Sequence, residues 1–238
     1  MRKKLVCASL CVFGLLAAGA ARADTITFVT PTGSTTSGGA VDASATFLTG
    51  NGTVAITLSD LQANPTDVAQ VISDLDFTLS NGATSGTLTS ISGQQIQVNS
   101  GGSTTSVSGD PTHWFLNNNV NGGLQLDALG NGQPKDLIIG PSGSGGMYTN
   151  ANGSIAGNGP HNPFTDGTAT FLLDVSGVTM NTNVDSAVFS FGTTAGIDVS
   201  GIPQTSIVPV IPEPPSLLLL GTGLLVLAGA FKAKLLLA

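Results

Sequence analysis

The chain has 238 residues, and its charge is distributed in a way that excludes one large class of function. Residues 24–210 contain thirteen Asp and a single base, Lys135, so their formal net charge is −12. A surface of that sign repels phosphate backbones, which excludes nucleic-acid binding.

The first 23 residues have the organisation of a secretory signal peptide. Residues 2–4 are basic and residues 5–20 are apolar. Ala21 and Ala23 then supply the small-x-small pattern that signal peptidase recognises, with Asp24 as the first residue of the mature chain. Both cysteines of the chain lie in this segment, so the mature protein is expected to contain no disulfide and no thiolate metal site. An uncleaved N-terminal anchor is the alternative.

Residues 24–199 are predicted to form one exported module that is mainly β. Short runs of alternating apolar and polar residues recur between turns rich in Gly, Ser and Asn, which is typical of half-buried strands. Asn51-Gly52 predicts a tight hairpin turn. The number and spacing of the strands favour an antiparallel β-sandwich of jelly-roll type. The predicted strands cover residues 25–30, 45–48, 53–59, 75–79, 87–91, 94–98, 114–116, 137–139, 168–175, 187–191 and 197–199.

Two segments interrupt the strand pattern. Asn64 suits a helix N-cap and Pro65 a first helical position, which predicts one short helix over residues 65–74. An apolar stripe at helical spacing supports it and consists of Val68, Val71, Ile72 and Leu75. Residues 140–163 have no periodicity, so we expect a long surface loop or a flexible insertion there.

Candidate catalytic residues are few. The sequence contains no Gly-x-Ser-x-Gly elbow, no phosphate-binding glycine loop and no HExxH motif. His113 and His161 have no accompanying ligand spacing. A site that combines a histidine with Asp110 or Asp166 is conceivable, but two ordinary loop histidines are the favoured interpretation. We therefore expect no enzyme activity, no catalytic residue, no cofactor and no metal.

Two further patterns are compatible with cation binding. Asp74 and Asp76 are two positions apart on a predicted strand and should share one face. Residues 127–140 resemble a calcium loop, in which oxygen ligands recur at alternate positions. Leu129 and Lys135 occupy ligand positions of that pattern, so a turn leading into a strand is the favoured interpretation.

An aromatic surface for sugar binding is a separate possibility. The residues that could form it are His113, Trp114, Phe115, Tyr148 and Phe164. The alternative is that Trp114 and its neighbours belong to the core.

The C-terminal part consists of a predicted linker, residues 200–211, and a tail, residues 212–238. Residues 216–231 carry no charge and are rich in leucine, so they are predicted to form a transmembrane helix. Sixteen residues of helix rise about 24 Å, which is less than the roughly 30 Å of a hydrocarbon core. Lys232 and Lys234 follow the helix and should remain cytoplasmic, with the module outside.

Pro212-Glu213-Pro214, the short apolar helix and the basic end together resemble the PEP-CTERM sorting signal. The resemblance covers about the last 28 residues, and Pro212, Glu213 and Pro214 match its name-giving motif. Tails of that family normally end in arginines, whereas this one has two lysines followed by LLLA. The resemblance implies a bacterium that makes extracellular polysaccharide, and processing by exosortase, a membrane-embedded transpeptidase-like enzyme. A plain membrane anchor and a buried core helix are the alternatives.

These features predict an exported cell-envelope or extracellular-matrix protein with a non-enzymatic structural or adhesive role. Its expected partners are signal peptidase, exosortase, the membrane before processing, and extracellular polysaccharide. The first alternative is a carbohydrate- or calcium-binding matrix module, and the second is a secreted hydrolase.

Overall fold

The computed structural model of the chain describes residues 25–130 and 132–204, and these residues are mainly β, as predicted. They contain one short 3-10 helix, Val68–Gln70, and fifteen strands. The strands are β1 (Thr25–Val29), β2 (Thr35–Thr36), β3 (Gly39–Ala40), β4 (Ala43–Thr49), β5 (Thr53–Asp60), β6 (Ile72–Leu79), β7 (Thr87–Val98), β8 (Thr104–Val107), β9 (Phe115–Val120), β10 (Gly123–Asp127), β11 (Ile138–Ile139), β12 (Phe164–Asp174), β13 (Val184–Phe191), β14 (Asp198–Ser200) and β15 (Ile202–Gln204).

Thirteen of these strands form one sheet, and β2 pairs with β3 separately. The main path runs β14-β13-β6-β11-β12-β5-β4-β1-β15. Only Gly201 separates β14 from β15, so the two ends of the path are consecutive in the chain. The pairings are antiparallel except for that of β11 with β12, which is parallel, so the sheet is mixed and not wholly antiparallel as predicted.

The core contains phenylalanine rings from strands that are distant along the main path. Phe28 of β1 and Phe47 of β4 come from neighbouring strands, whereas Phe77 belongs to β6, four pairings away from β4. The ring centroids of Phe28 and Phe47 are 6.0 Å apart, and those of Phe47 and Phe77 are 5.3 Å apart. In β4 and β5 alternate residues point inward and are buried, in agreement with the period-2 pattern of the sequence.

The predicted helix over residues 65–74 is wrong. Only Val68–Gln70 is helical, and Asp67 caps it by accepting a hydrogen bond from the Ala69 amide. Asn64 has a left-handed backbone with φ of 49° and does not cap a helix. The apolar stripe is buried as predicted, but its second half belongs to β6, a strand with neighbours on both edges. Tertiary contacts and β-branched side chains there outweigh a helical spacing.

Residues 140–163 contain no strand, as predicted, and they pack against the rest of the module. Tyr148 is 2% exposed, and its hydroxyl donates a hydrogen bond to the Gly140 carbonyl. Ile155 is fully buried. The Asn152 amide donates to the Thr66 carbonyl across the sequence. The segment is therefore a surface loop held at several points along its length.

The sheet continues into the predicted linker, because Ser200 ends β14 and residues 202–204 form β15. Pro203 is tolerated in β15 because the strand lies at the end of the pairing path. The rest of the linker, the predicted signal peptide and the predicted sorting tail lie outside the described residues. With them lie Ala21, Ala23, Asp24, Pro212, Glu213, Pro214, Lys232 and Lys234. Within residues 25–130 and 132–204, no helix combines the length and the hydrophobicity needed to cross a bilayer.

Candidate functional site

Serine and threonine side chains line the outer side of five adjacent strands, β1, β4, β5, β12 and β7. The strand register places one hydroxyl residue from each strand opposite the next. We call this set the central row, and it consists of Thr27, Thr46, Thr57, Thr170 and Ser92. In a β-sheet such neighbours are about 4.8 Å apart.

A second row lies beside the central one. It consists of Ser44, Ser59 and Thr168, which are opposite one another on β4, β5 and β12. Residues two apart on a strand are about 6.8 Å apart, so the two rows form a regular array, which we call the hydroxyl face. The residues between the hydroxyls point inward and are buried, as Ala45, Leu58 and Ala169 show.

The hydroxyl face is uncharged and partly self-paired. The Thr27 and Thr46 hydroxyl oxygens are 2.9 Å apart, and those of Ser59 and Thr168 are also 2.9 Å apart. Thr57, Thr170 and Ser92 are exposed. Leu48 and Leu172 border the central row on its other side and are 43% and 38% exposed. The surface therefore offers hydroxyls that both donate and accept hydrogen bonds, next to a short apolar margin.

A second set of polar side chains lies on β10, β6, β13 and β14. The register aligns Asp127 of β10, Asp74 of β6, Ser190 of β13 and Asp198 of β14, and we call this set the carboxylate row. Asp76 lies two residues beyond Asp74 on the same face, as predicted. The Ser190 hydroxyl donates a hydrogen bond to Asp198, so its one proton is not available to Asp74.

Asp74 is the most perturbed member of the carboxylate row. It is 3% exposed, and its Oδ1 has no hydrogen-bond partner. Burial, together with the neighbouring carboxylates of Asp76, Asp127 and Asp198, raises the pKa of Asp74 to about 7. Burial also raises the pKa of Asp76. The row therefore changes its charge near neutral pH.

The carboxylate row does not form a metal centre. Asp127 and Asp198 are three strands apart, about 14 Å, whereas calcium ligands lie about 2.4 Å from the ion. Across the described parts of the chain, no three His, Cys, Asp or Glu side chains are grouped closely enough to hold a metal ion.

His113 pairs with a carboxylate that the sequence did not single out as its partner. Its Nδ1 is 2.9 Å from Oδ2 of Asp136. The pairing that the sequence suggested, with Asp110 or Asp166, is not the one found. Asp136 is fully buried, whereas the His113 side chain is 34% exposed. His161 uses its Nδ1 differently and lies 2.7 Å from the Ser154 carbonyl oxygen. The two histidines thus have separate local roles.

Asp136 organises the segment around it. Its carboxylate accepts hydrogen bonds from Gln95 Nε2 and from the backbone amides of Thr112 and His113. Its carbonyl accepts from Trp114 Nε1 at 2.8 Å and from Thr165 Oγ1 at 3.0 Å. These bonds connect β7, β12 and the chain before β9. They account for the complete burial of a carboxylate.

An open cleft lies beside this network. It has a volume of about 590 Å³ and is lined by residues 93–94 and 106–110. Asp110 is the one ionisable group in that lining. A His–Asp pair can act as a base for a hydroxyl nucleophile, but no described hydrogen bond joins Nε2 of His113 to a hydroxyl.

The predicted aromatic platform is not present on the surface. Trp114, Tyr148 and Phe164 are 3%, 2% and 0% exposed. Trp114 packs against Phe171 with ring centroids 5.1 Å apart. The core alternative for Trp114 is therefore confirmed, and these rings are not available to stack on a sugar.

The segment 127–140 does not gather its carboxylates. Asp127 accepts a hydrogen bond from the Leu129 amide at 2.6 Å and another from Asn117, whereas Asp136 faces His113. The segment leads into β11, so the turn-and-strand interpretation is confirmed for its described residues.

The sequence contained a signal for the hydroxyl face that was not used. The pattern Ser/Thr-x-Ser/Thr occurs at residues 25–27, 44–46, 57–59, 90–92 and 168–170, each time with an apolar residue in the middle.

Comparisons with protein-family models, with curated proteins and with solved structures found no significant match.

Proposed function

We propose that the chain is an exported protein of the bacterial cell envelope or extracellular matrix with a non-enzymatic, adhesive role. We further propose that its module is a β-sandwich of jelly-roll type. The contact between Phe47 of β4 and Phe77 of β6, which are four pairings apart along the main path, supports that architecture. So does the change of pairing partner at Gly201, where the chain leaves β13 and joins β1.

The hydroxyl face is the observation that carries the adhesive role. The module has thirteen Asp, yet its two hydroxyl rows contain no charged residue over five strands. A broad array of weak hydrogen-bonding groups suits a large partner, because many modest contacts add along it.

Sorting by the C-terminal tail is the second part of the proposal. Signal peptidase would release the N-terminus, the apolar helix would hold the protein in the membrane for a time, and an exosortase-type transpeptidase would remove the tail. The motif Pro212-Glu213-Pro214 and the basic residues Lys232 and Lys234 support this route. The sorted protein would then reside in the envelope or outside the cell, with extracellular polysaccharide as a candidate partner.

The test of sorting is the variant Glu213→Ala, expressed in the native host and compared with wild type after fractionation. We expect the variant to keep its tail and to accumulate in the membrane fraction. Ser206→Ala, a substitution in the preceding linker and outside the motif, should be processed normally. Normal trimming of Glu213→Ala would refute the sorting proposal.

Carbohydrate binding by the hydroxyl face would give the adhesive role its partner and is developed below. A secreted hydrolase is the alternative. A hydrolase would depend on His113, whose pair with Asp136 is the nearest arrangement to a catalytic dyad among the described residues. Turnover of any polymer by wild type that is abolished in His113→Ala would favour the hydrolase.

A further inference from the structure

We propose that the hydroxyl face binds a neutral polysaccharide as an extended polymer and not as a short oligosaccharide. This inference rests on the proposed adhesive role and specifies the chemical class of the partner.

The chemistry of the face selects a polyhydroxylated partner. Each serine or threonine hydroxyl is one donor and two acceptors, so it can pair with a sugar hydroxyl in either direction. Thr27 pairs with Thr46 and Ser59 with Thr168, which holds these side chains in place before any ligand arrives. Thr57, Thr170 and Ser92 are exposed and have no such partner within the rows.

The charge of the module disfavours an anionic partner, and the uncharged rows suit a neutral one. Neither row contains a base, and Lys135 is the only base in residues 24–210. An anionic polymer would therefore approach a module of formal net charge −12 without a compensating cation. A neutral polysaccharide meets no such repulsion.

The two rows lack the aromatic and convergent polar groups that bind a small sugar tightly, which favours a polymer as the partner. Tight recognition of a small sugar uses a concave site with aromatic and convergent polar groups. The two rows consist of small side chains on a sheet surface, and the aromatic residues of the five strands point into the core. Each hydrogen bond contributes a factor of roughly five to affinity, so only a partner that spans several hydroxyls is retained.

The array also suggests how the polymer would lie. Five hydroxyls at intervals of about 4.8 Å run across the strands, a distance comparable to the length of one hexose unit. A chain aligned with the central row would meet one hydroxyl per sugar. Leu48 and Leu172 would contact the apolar edge of the rings alongside.

The experiment is co-sedimentation of the full-length purified protein with amorphous cellulose and with an insoluble α-glucan, with alginate beads as the anionic comparison. We expect binding to at least one neutral polymer and weaker binding to alginate. The variant Thr57→Val/Thr170→Val removes two central hydroxyls while keeping shape and β propensity, and should lower affinity roughly 25-fold. Soluble cello-oligosaccharides and malto-oligosaccharides should not compete.

Two controls separate hydroxyl loss from misfolding. Thr57→Ser/Thr170→Ser keeps both hydroxyls and should bind like wild type. Thr104→Val/Thr194→Val changes two exposed threonines outside the face and should also bind like wild type. Thermal unfolding of each variant shows whether the fold is intact.

Three results would overturn the inference: no binding to either neutral polymer, unchanged binding by Thr57→Val/Thr170→Val, or competition by the soluble oligosaccharides. A protein that is exported and trimmed but does not bind polysaccharide would refute this inference alone. A protein that never leaves the cell would refute the proposed function.

Discussion

The raised pKa of Asp74 makes the stability of the module depend on pH in a direction that can be tested. An unfolded Asp titrates near 3.8, and the folded carboxyl titrates at about 7. The folded state therefore binds an extra proton between those values. Stability from this group is fully present below pH 3.8 and is lost as the pH rises through 7.

The magnitude follows from the shift. About three pKa units at 1.36 kcal/mol each give a loss of about 4 kcal/mol in the free energy of unfolding between pH 4 and pH 8. Asp74 is 3% exposed, so little of this loss is removed by solvent screening. The change is large compared with the 5–15 kcal/mol that stabilises a typical domain.

The perturbation is Asp74→Asn, which keeps the shape of the side chain and removes its charge. At pH 4 the variant and wild type should have similar free energies of unfolding. At pH 8 the variant should be more stable by about 4 kcal/mol. Its amide can also donate to a neighbouring carboxylate of the row.

The assay is urea unfolding at several pH values, followed by the fluorescence of Trp114, the only tryptophan of the chain and 3% exposed. Burial also raises the pKa values of Asp60, Asp76 and Asp166. These three groups make the free energy of unfolding fall with pH in both wild type and Asp74→Asn. Their contributions therefore largely cancel in the stability difference between the two proteins. Asp185→Asn, an exposed carboxylate on β13, should leave the pH profile unchanged. A difference between Asp74→Asn and wild type that does not vary with pH would refute the reasoning.

Two further predictions concern the core. Asp136→Asn should lower the free energy of unfolding by about 1–3 kcal/mol, because the new amide NH2 would face a hydrogen-bond donor from Gln95 or from residues 112–113. Asp110→Asn, at an exposed position, is the control. Equal stability of the two variants would contradict this role of Asp136. Gly140→Ala should destabilise by more than about 2 kcal/mol, because a Cβ there would lie 2.0 Å from the Gln62 carbonyl oxygen. Gly101→Ala adds a Cβ with no atom within 4 Å and should be nearly neutral, and similar melting temperatures for the two glycine variants would count against this packing.

Local patterns identified most of the strands. The hairpin at Asn51-Gly52 is confirmed, because Thr49 pairs with Val54 and Gly52 has a φ of 78°. The strand β10 was missed, although Asn121-Gly122 precedes it and both residues have the positive φ of a hairpin turn. Its two leucines formed too short a run to stand out from the polar sequence around them.

Features that depend on distant contacts could not be predicted from the sequence. The Asp136 partner of His113 is 23 residues away in the chain, and no local sequence pattern joins the two. The hydroxyl face depends on the registers of five strands, and a slip of one residue would turn its side chains inward. The helix over residues 65–74 failed for the same reason, since neighbouring strands decide the structure of that segment.

The central claim is that the chain is exported and then trimmed at both ends. The most direct test is the intact mass of the protein recovered from the envelope and the medium of its native host. We predict an N-terminus at Asp24 and a C-terminus within residues 212–215. A stable full-length chain that still ends at Ala238 would contradict the claim.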